Sequence, residues 1–565
     1  MPGSELPTIK VLITPEYSLA QHVTGLLVDL TVPSDQVRQL PEYSELLSFT
    51  NSFSASSDSD EEEDTGQAFD TLAQLLILAK SRFENSNIEW VEGRSTPEYM
   101  RLICRASPLE LDQKGTRESA VDLRCDQGGL LGSGIAFIPL PASEEICRIV
   151  VAWDLSKAPS GTRAVWTFGE GPDPVEMTGP SSILCESVYM VGKIQSNPSA
   201  ALPWTLPDYY GFYWFGDLPP NIQAIRDIHY EFLLKVSEFF QDPPSASNPY
   251  RAFVRNNGAV MSFGGTGFTR SHIFDYDDQI AQAHDYDLVR RMSYEMVHNW
   301  LGPPSTDDTI DWLYEGISNL LSLYLPSRNG FRTDDYFTST FNTLCMKYYT
   351  NPLLRVPLAD LMILAPTNDY AKEMIAARAW AFVAGTDFRA RELSELKRPV
   401  EDLSIKVLAK KRARGEEHGI WEWMDLLHPL MGEEVVGRYK SMLGGSVILL
   451  PVEISDVKSY RLRPVQQEVL DFGMDRESFE KGMISGLKLG GRAANAGLRE
   501  GDKIIWSSHL WKCVDDFQAH MELVVRSGGV EKRVRYWPRS FAKVDSWQIV
   551  KVEDQDVSTP PVGGG

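Results

Sequence analysis

The chain is short of cysteine: Cys104, Cys125, Cys147, Cys185, Cys345 and Cys513 are all there are in 565 residues. They are scattered, with no C-x-x-C pair, which argues against a disulfide framework and predicts reduced, mostly buried thiols. Positive charge is also scarce. Lys and Arg number 55 against 78 Asp and Glu, for a net charge of −23. Phosphate contacts need a basic face, so no nucleic-acid partner is expected. The same excess of negative charge argues against anionic membranes and favours solubility. No stretch of about 18 apolar residues exists to form a membrane span. The opening residues, MPGSELPTIKVLITPEYSL, lack a basic n-region and a long apolar run, so no signal peptide is expected and the cytosol is the default compartment. Internal repeats are absent.

What is present is enough apolar material for full cores: 43% hydrophobic and 10% aromatic residues. The length suggests two to four domains. Residues 1–202 read as a β-sandwich. IKVLITPEY, GLLVDLTV, GIAFIPL, RIVVAWDL and TRAVWTF are short apolar or alternating runs broken by Pro, Gly and Ser. Within them, SFSASSDSDEEEDTG (52–66) reads as a disordered acidic loop in which Ser57 and Ser59 are candidate phosphorylation sites. Residues 203–449 begin with the aromatic, turn-rich WTLPDYYGFYWFGDLPP and continue as helices. These are expected at 221–241, 287–301, 312–325, 333–349, 369–388 and 399–413. In 287–301, Val289, Met292, Met296 and Trp300 recur at steps of three and four, one apolar helix face. Residues 450–461 read as a linker, 462–550 as a smaller β domain, and 551–565 as a disordered tail. Within the smaller domain, DDFQAHMELVVRSGG is expected to give a helix and a turn.

One stretch carries chemistry. RMSYEMVHNWLGPPSTDDTIDWLYEGISNLL contains Tyr294-Glu295-Met296-Val297-His298 and then Glu315. Residues i and i+4 share a helix face, so two side chains at that spacing converge on one point. In the zinc motif H-E-x-x-H both are histidines, and the intervening Glu lies beside the metal-bound water as base. Here Tyr294 and His298 hold the two ligand positions, Glu295 the base position, and Glu315 on the next helix the third ligand. By itself an E-x-x-H pair on a helix is more often structural, and Glu315 alone is an ordinary helix glutamate. Glu295 lies beside the apolar face, where burial raises a carboxyl pKa toward a useful range.

The joint pattern resembles the M61 family of glycyl-aminopeptidase-like metallopeptidases, relatives of the M1 aminopeptidases. HNWLGPPSTDDTIDWLYEGISNLLSLYLPSRNGF is similar to that family's second-to-third-ligand region, and YYTNPL and NDYAKEMIAARAWAFVAGTDFRAREL to its downstream helices. The resemblance implies a multidomain α+β protein: an N-terminal β-sandwich, a mainly helical thermolysin-like peptidase domain and a C-terminal PDZ-like domain. RAANAGLREGDKIIW resembles the core of that last domain. The resemblance further implies peptidase or small-amide hydrolysis, zinc held by His298 and Glu315, a peptide or small-molecule substrate, and a peptide ligand at the PDZ-like domain. Tyr370, in Tyr370-Ala371-Lys372-Glu373, matches a Y-x-K/R-G motif except for its glycine and would hydrogen-bond the oxyanion.

Two departures bear on that expectation. A neutral phenol, with a pKa of about 10, is a poor zinc ligand. Tyr294 in place of the first histidine therefore predicts metal affinity lower by orders of magnitude. The strand that carries a substrate-binding glutamate in this clan reads Gly264-Gly265-Thr266-Gly267-Phe268 here, without the glutamate. His284 is too far along the helix to substitute, about 15 Å, and His272 is the remaining rescue candidate. Three readings follow: a hydrolase with an altered zinc site, a metal-free acid/base enzyme in the same cleft, and a catalytically dead binding protein.

Overall fold

The computed structural model describes residues 6–33, 88–95, 98–109, 121–139, 145–256, 263–278, 280–301, 308–365, 368–394, 396–414, 420–450, 460–508 and 510–551. The acidic loop 52–66 with Ser57 and Ser59, most of the 450–461 linker and the tail beyond Lys551 lie outside the described residues. The architecture is α+β and multidomain, with several sheets and a helical body.

Near the N-terminus a six-stranded sheet has Thr8–Tyr17 and Val23–Pro33 at its centre. Along Thr8–Tyr17, Ile9, Val11 and Ile13 are buried while their neighbours are not, as period-two patterning requires. Those side chains share one core with Leu130, Trp166 and Tyr189 of a five-stranded sheet. The GIAFIPL run is not a strand. It opens as a short 3-10 turn, Gly134–Ala136, with Phe137 and Ile138 both donating to the Gly134 carbonyl. A Cβ at Gly134 would fall 1.9 Å from the Leu184 carbonyl oxygen, so this close approach requires glycine.

A third, mixed sheet has the order Ile194–Asn197, Tyr210–Phe215, Tyr250–Asn256, Ser271–Tyr276, Gly264–Phe268. The aromatic run expected as turns is therefore in part a strand, Tyr210–Phe215, buried along its whole length. One face of this sheet packs Tyr213, Phe253 and Ile273 against Leu131, Val165 and Met190 of the five-stranded sheet. Arg255 ties the two together. Its guanidinium donates to Asp275 and to the carbonyls of Asp122 (2.7 Å) and Leu131 (2.8 Å). The other face, with Phe212, Val254 and Phe274, joins the large helical core.

The helices run Pro220–Phe239, Asp285–Leu301, Asp308–Arg328, Asp334–Tyr349, Asp369–Leu393 and Pro399–Arg414, close to the sequence expectations. Leu358–Leu364, Ile420–Met431 and Glu434–Leu443 are additional. Towards the C-terminus, Tyr460–Leu470 pairs with Arg539–Lys551, and Lys503–Ser507, Met521–Ser527 and Val530–Tyr536 form an antiparallel sheet. Within the DDFQAHMELVVRSGG run, Met521–Ser527 is a strand. Met521, Leu523 and Val525 alternate inward, a period-two signal within a segment expected to be helical. Asn342 of the Asp334–Tyr349 helix exchanges hydrogen bonds with the Ile549 backbone (2.7 and 3.2 Å), anchoring this part to the helical body. All six cysteines are free, and five of them are buried. Among the described residues no helix is long and apolar enough to cross a membrane.

Candidate active site

The motif helix, Asp285–Leu301, begins with Asp285 and Asp287 in its first turn, where negative charge suits the helix dipole. The spacing gave it one apolar face. Instead Leu288, Val289, Met292–His298, Trp300 and Leu301 are all buried. The cause is packing on several sides: the Gly264–Phe268 strand, the Asp308–Arg328 helix and the Pro220–Phe239 helix all contact it. Its far end is fixed by Asp242, which accepts from the Trp300 indole (3.0 Å) and from Arg270 (2.9 Å). Asn299 accepts from the backbone N–H of Arg270 (2.9 Å), the hairpin residue with φ +58°.

Gly265 and Gly267 explain the glycine strand. A Cβ on Gly267 would lie 2.6 Å from the His298 Cβ and 3.0 Å from the Glu295 carbonyl oxygen. One on Gly265 would lie 2.8 Å from the Ile273 carbonyl oxygen and 2.9 Å from the Glu295 Cγ. The backbone of the strand therefore rests directly on the motif helix. Gly264 and Thr266 occupy the alternate positions and are partly exposed. Gly267→Ala is expected to destabilise the protein by about 1–3 kcal/mol through overpacking, read from urea unfolding monitored by circular dichroism. An unchanged midpoint would contradict this packing.

Tyr294, Glu295, His298 and Glu315 come together. The Tyr294 hydroxyl donates to Glu315 Oε2, and His298 Nε2 lies 3.8 Å from Glu315 Oε1. The rings of Tyr294 and His298 meet edge to face at 4.8 Å. Glu295 is 2% exposed at its side chain and faces Arg291, whose Nε lies 2.7 Å from Oε1. Burial raises the Glu295 pKa, Arg291 and His298 pull it back, and the Glu315 charge raises it again. The Tyr294 hydroxyl is pushed well above the usual phenol range, first by burial and then by Glu315. It is therefore a proton donor at neutral pH. Glu315 is the most open of the four, its side chain 30% exposed. Its position depends on Gly316, where a Cβ would meet the Ala379 carbonyl at 2.5 Å, so the Asp308–Arg328 and Asp369–Leu393 helices touch there.

Two sequence candidates have other partners. Tyr370 is in the first turn of the Asp369–Leu393 helix, capped by Asn368, which accepts from the Tyr370 and Ala371 amides (2.9 and 3.3 Å). The Tyr370 hydroxyl sits with Asp471, the Phe472 backbone and Arg539 of the C-terminal part, and burial pushes it up to about 12. These neighbours are not those of the Tyr294 hydroxyl, which faces Glu315. His272 is spoken for as well. Its Nδ1 pairs with the Tyr250 hydroxyl at 2.9 Å, and its ring lies 5.3 Å from that of His229, deep in the core. Sequence reading missed Arg291, although Arg at i and Glu at i+4 is itself a signal. It also missed Glu373, whose charge acts on Arg291. In the GLKLGG loop, the amides of Gly486 (3.1 Å) and Leu487 (2.9 Å) donate to the chain's own Glu500 carboxylate.

These donors do not fit a zinc site. Among the described residues no group of three or more His, Cys, Asp or Glu is arranged to hold a metal ion. Position 294 presents a protonated phenol that uses Glu315 as its acceptor, and Arg291 places a cation against Glu295.

No family model matches the sequence, and no curated protein matches it. Solved structures do. An aminopeptidase N family protein from Idiomarina loihiensis superposes with a TM-score of 0.60 at 12% identity, covering 97% of this chain and 99% of that one. The fold is thus similar to that protein's over nearly the whole of both chains. An M1 zinc metallopeptidase from Deinococcus radiodurans gives 0.41 at 11% identity, over 80% of this chain and 96% of that one. Yeast LTA4 hydrolase in complex with bestatin gives 0.42 at 10% identity, over 80% and 69%.

Proposed function

We propose that this chain is a peptidase-like hydrolase, M61-like in origin, whose cleft acts on a peptide or small amide-like substrate without a metal ion. The observation that carries this reading is the Tyr294–Glu315 hydrogen bond beside the Arg291–Glu295 ion pair. Together they engage three of the four groups a zinc peptidase would commit to its ion and water. The peptidase-like fold shared with the aminopeptidase N family protein supports the substrate class.

In this reading Glu295 takes a proton from a water molecule, whose oxygen bonds to the substrate carbonyl carbon. The Tyr294 hydroxyl, which donates to the partly exposed Glu315 at rest, turns its single proton to the developing oxyanion. The carbon–nitrogen bond then breaks, and the proton held by Glu295 passes to the leaving amine. His298, its Nδ1 without a hydrogen-bond partner among the described residues, completes the polar wall.

Residues 462–550 remain PDZ-like in this proposal, on the strength of RAANAGLREGDKIIW and the sheet it feeds. Glu500 already fills the amides that would take a terminal carboxylate, so binding there is not the favoured activity. The test is direct. Protein dialysed against a chelator should hydrolyse aminoacyl amides at the same rate as untreated protein and carry under about 0.1 equivalent of zinc by elemental analysis. Hydrolysis that falls on chelation and returns with zinc would refute the proposal.

A further inference from the structure

Arg291 stands three residues before Tyr294 and four before Glu295, on the same side of the motif helix. Its Nε lies 2.7 Å from Glu295, its Nη2 donates to the Gly265 carbonyl at 2.9 Å, and its Cζ lies 5.1 Å from the centre of the Tyr294 ring. The guanidinium is thus held on three sides, by the helix it grows from, by the glycine strand and by the tyrosine ring. It sits in the field of Glu295, Tyr294, Glu315 and Glu373. The three glutamates are the negative charges a divalent ion there would need, Tyr294 being a neutral phenol.

We infer that Arg291 is a metal-excluding residue: its fixed positive charge, and not the loss of a histidine alone, keeps divalent ions out of the cleft. This rests on the metal-independent reading above. The physical argument is charge against charge. An ion held between position 294, His298 and Glu315 would lie near the guanidinium, which stands 5.1 Å from the centre of the Tyr294 ring. At the effective dielectric of a protein interior, a unit charge against a double charge at ~7 Å weakens binding on the order of a hundredfold or more. Arginine suits this role because it stays charged even when buried.

The experiment uses the full chain and zinc as probe, with affinity measured by competition against a fluorescent chelator and stoichiometry by elemental analysis. Tyr294→His alone should bind zinc at least a hundredfold more weakly than the double variant Tyr294→His/Arg291→Val. In the Tyr294→His background, Arg291→Gln, which keeps most of the side-chain volume, should bind as tightly as Arg291→Val. Arg291→Lys, which keeps the charge, should stay weak. Thermal midpoints and circular dichroism identify any variant that has failed to fold, and the glutamine form then replaces the valine one. If Tyr294→His alone binds as tightly as the double variant, or lysine behaves like valine, the Arg291 inference is overturned while the metal-independent reading stands. Stoichiometric zinc on the wild-type protein overturns both.

Discussion

Glu295→Gln is expected to lower turnover of an aminoacyl amide by about 10²–10⁴-fold, the usual worth of a positioned general base, with little change in the unfolding midpoint. Glutamine keeps the shape and a hydrogen-bonding oxygen for Arg291, so the helix loses a base rather than a prop. The pH profile separates the two. Burial raises the Glu295 carboxyl above its ordinary value of 4.5, and Arg291 offsets only part of that. The base must be ionised to work, so activity should rise with pH through a limb lying above the ordinary glutamate range. The residual activity of the glutamine variant should lack that limb. The stability sign runs the other way. Because the folded state holds this proton more tightly than the unfolded chain, Glu295 costs nothing below its unfolded pKa and becomes a cost as pH rises through its folded one. A variant with undiminished turnover would remove Glu295 from the mechanism.

The second large effect is structural. Arg255→Ala should destabilise the protein by about 3–5 kcal/mol, because it strands Asp275 and leaves the Asp122 and Leu131 carbonyls without their donor. Arg255 is 1% exposed and stands between the five-stranded sheet and the mixed sheet that ends in Gly264–Phe268. The loss should therefore appear first as separation of those two layers. Urea titration followed by both tryptophan fluorescence and circular dichroism reads it, since a multidomain chain need not unfold in one step. A midpoint within experimental error of wild type would show that the clamp is dispensable.

The long helices were legible because their apolar residues recur at three and four, and the i, i+4 spacing put Tyr294 and His298 on one face with Glu295 beside them. Glu315 was legible only jointly with that motif. What the sequence hid was tertiary. Tyr370 meets Asp471 and Arg539 from about 100 and 170 residues away, which no local pattern reports. The Tyr210–Phe215 strand, buried on both faces, shows no alternation and so read as an aromatic turn region. Arg291 was passed over because charged positions on a helix are usually solvated, whereas this one is half-buried and bonded to the glycine strand.

That strand has a last consequence. Gly264–Phe268 is the edge of its sheet among the described residues, and its first four positions carry a single side chain, Thr266. A polypeptide laid along it would meet a ruler of amide and carbonyl groups rather than a lock shaped for particular residues. Such a ruler measures spacing and chain direction but is blind to sequence. Any discrimination by sequence would then fall to side chains outside the strand.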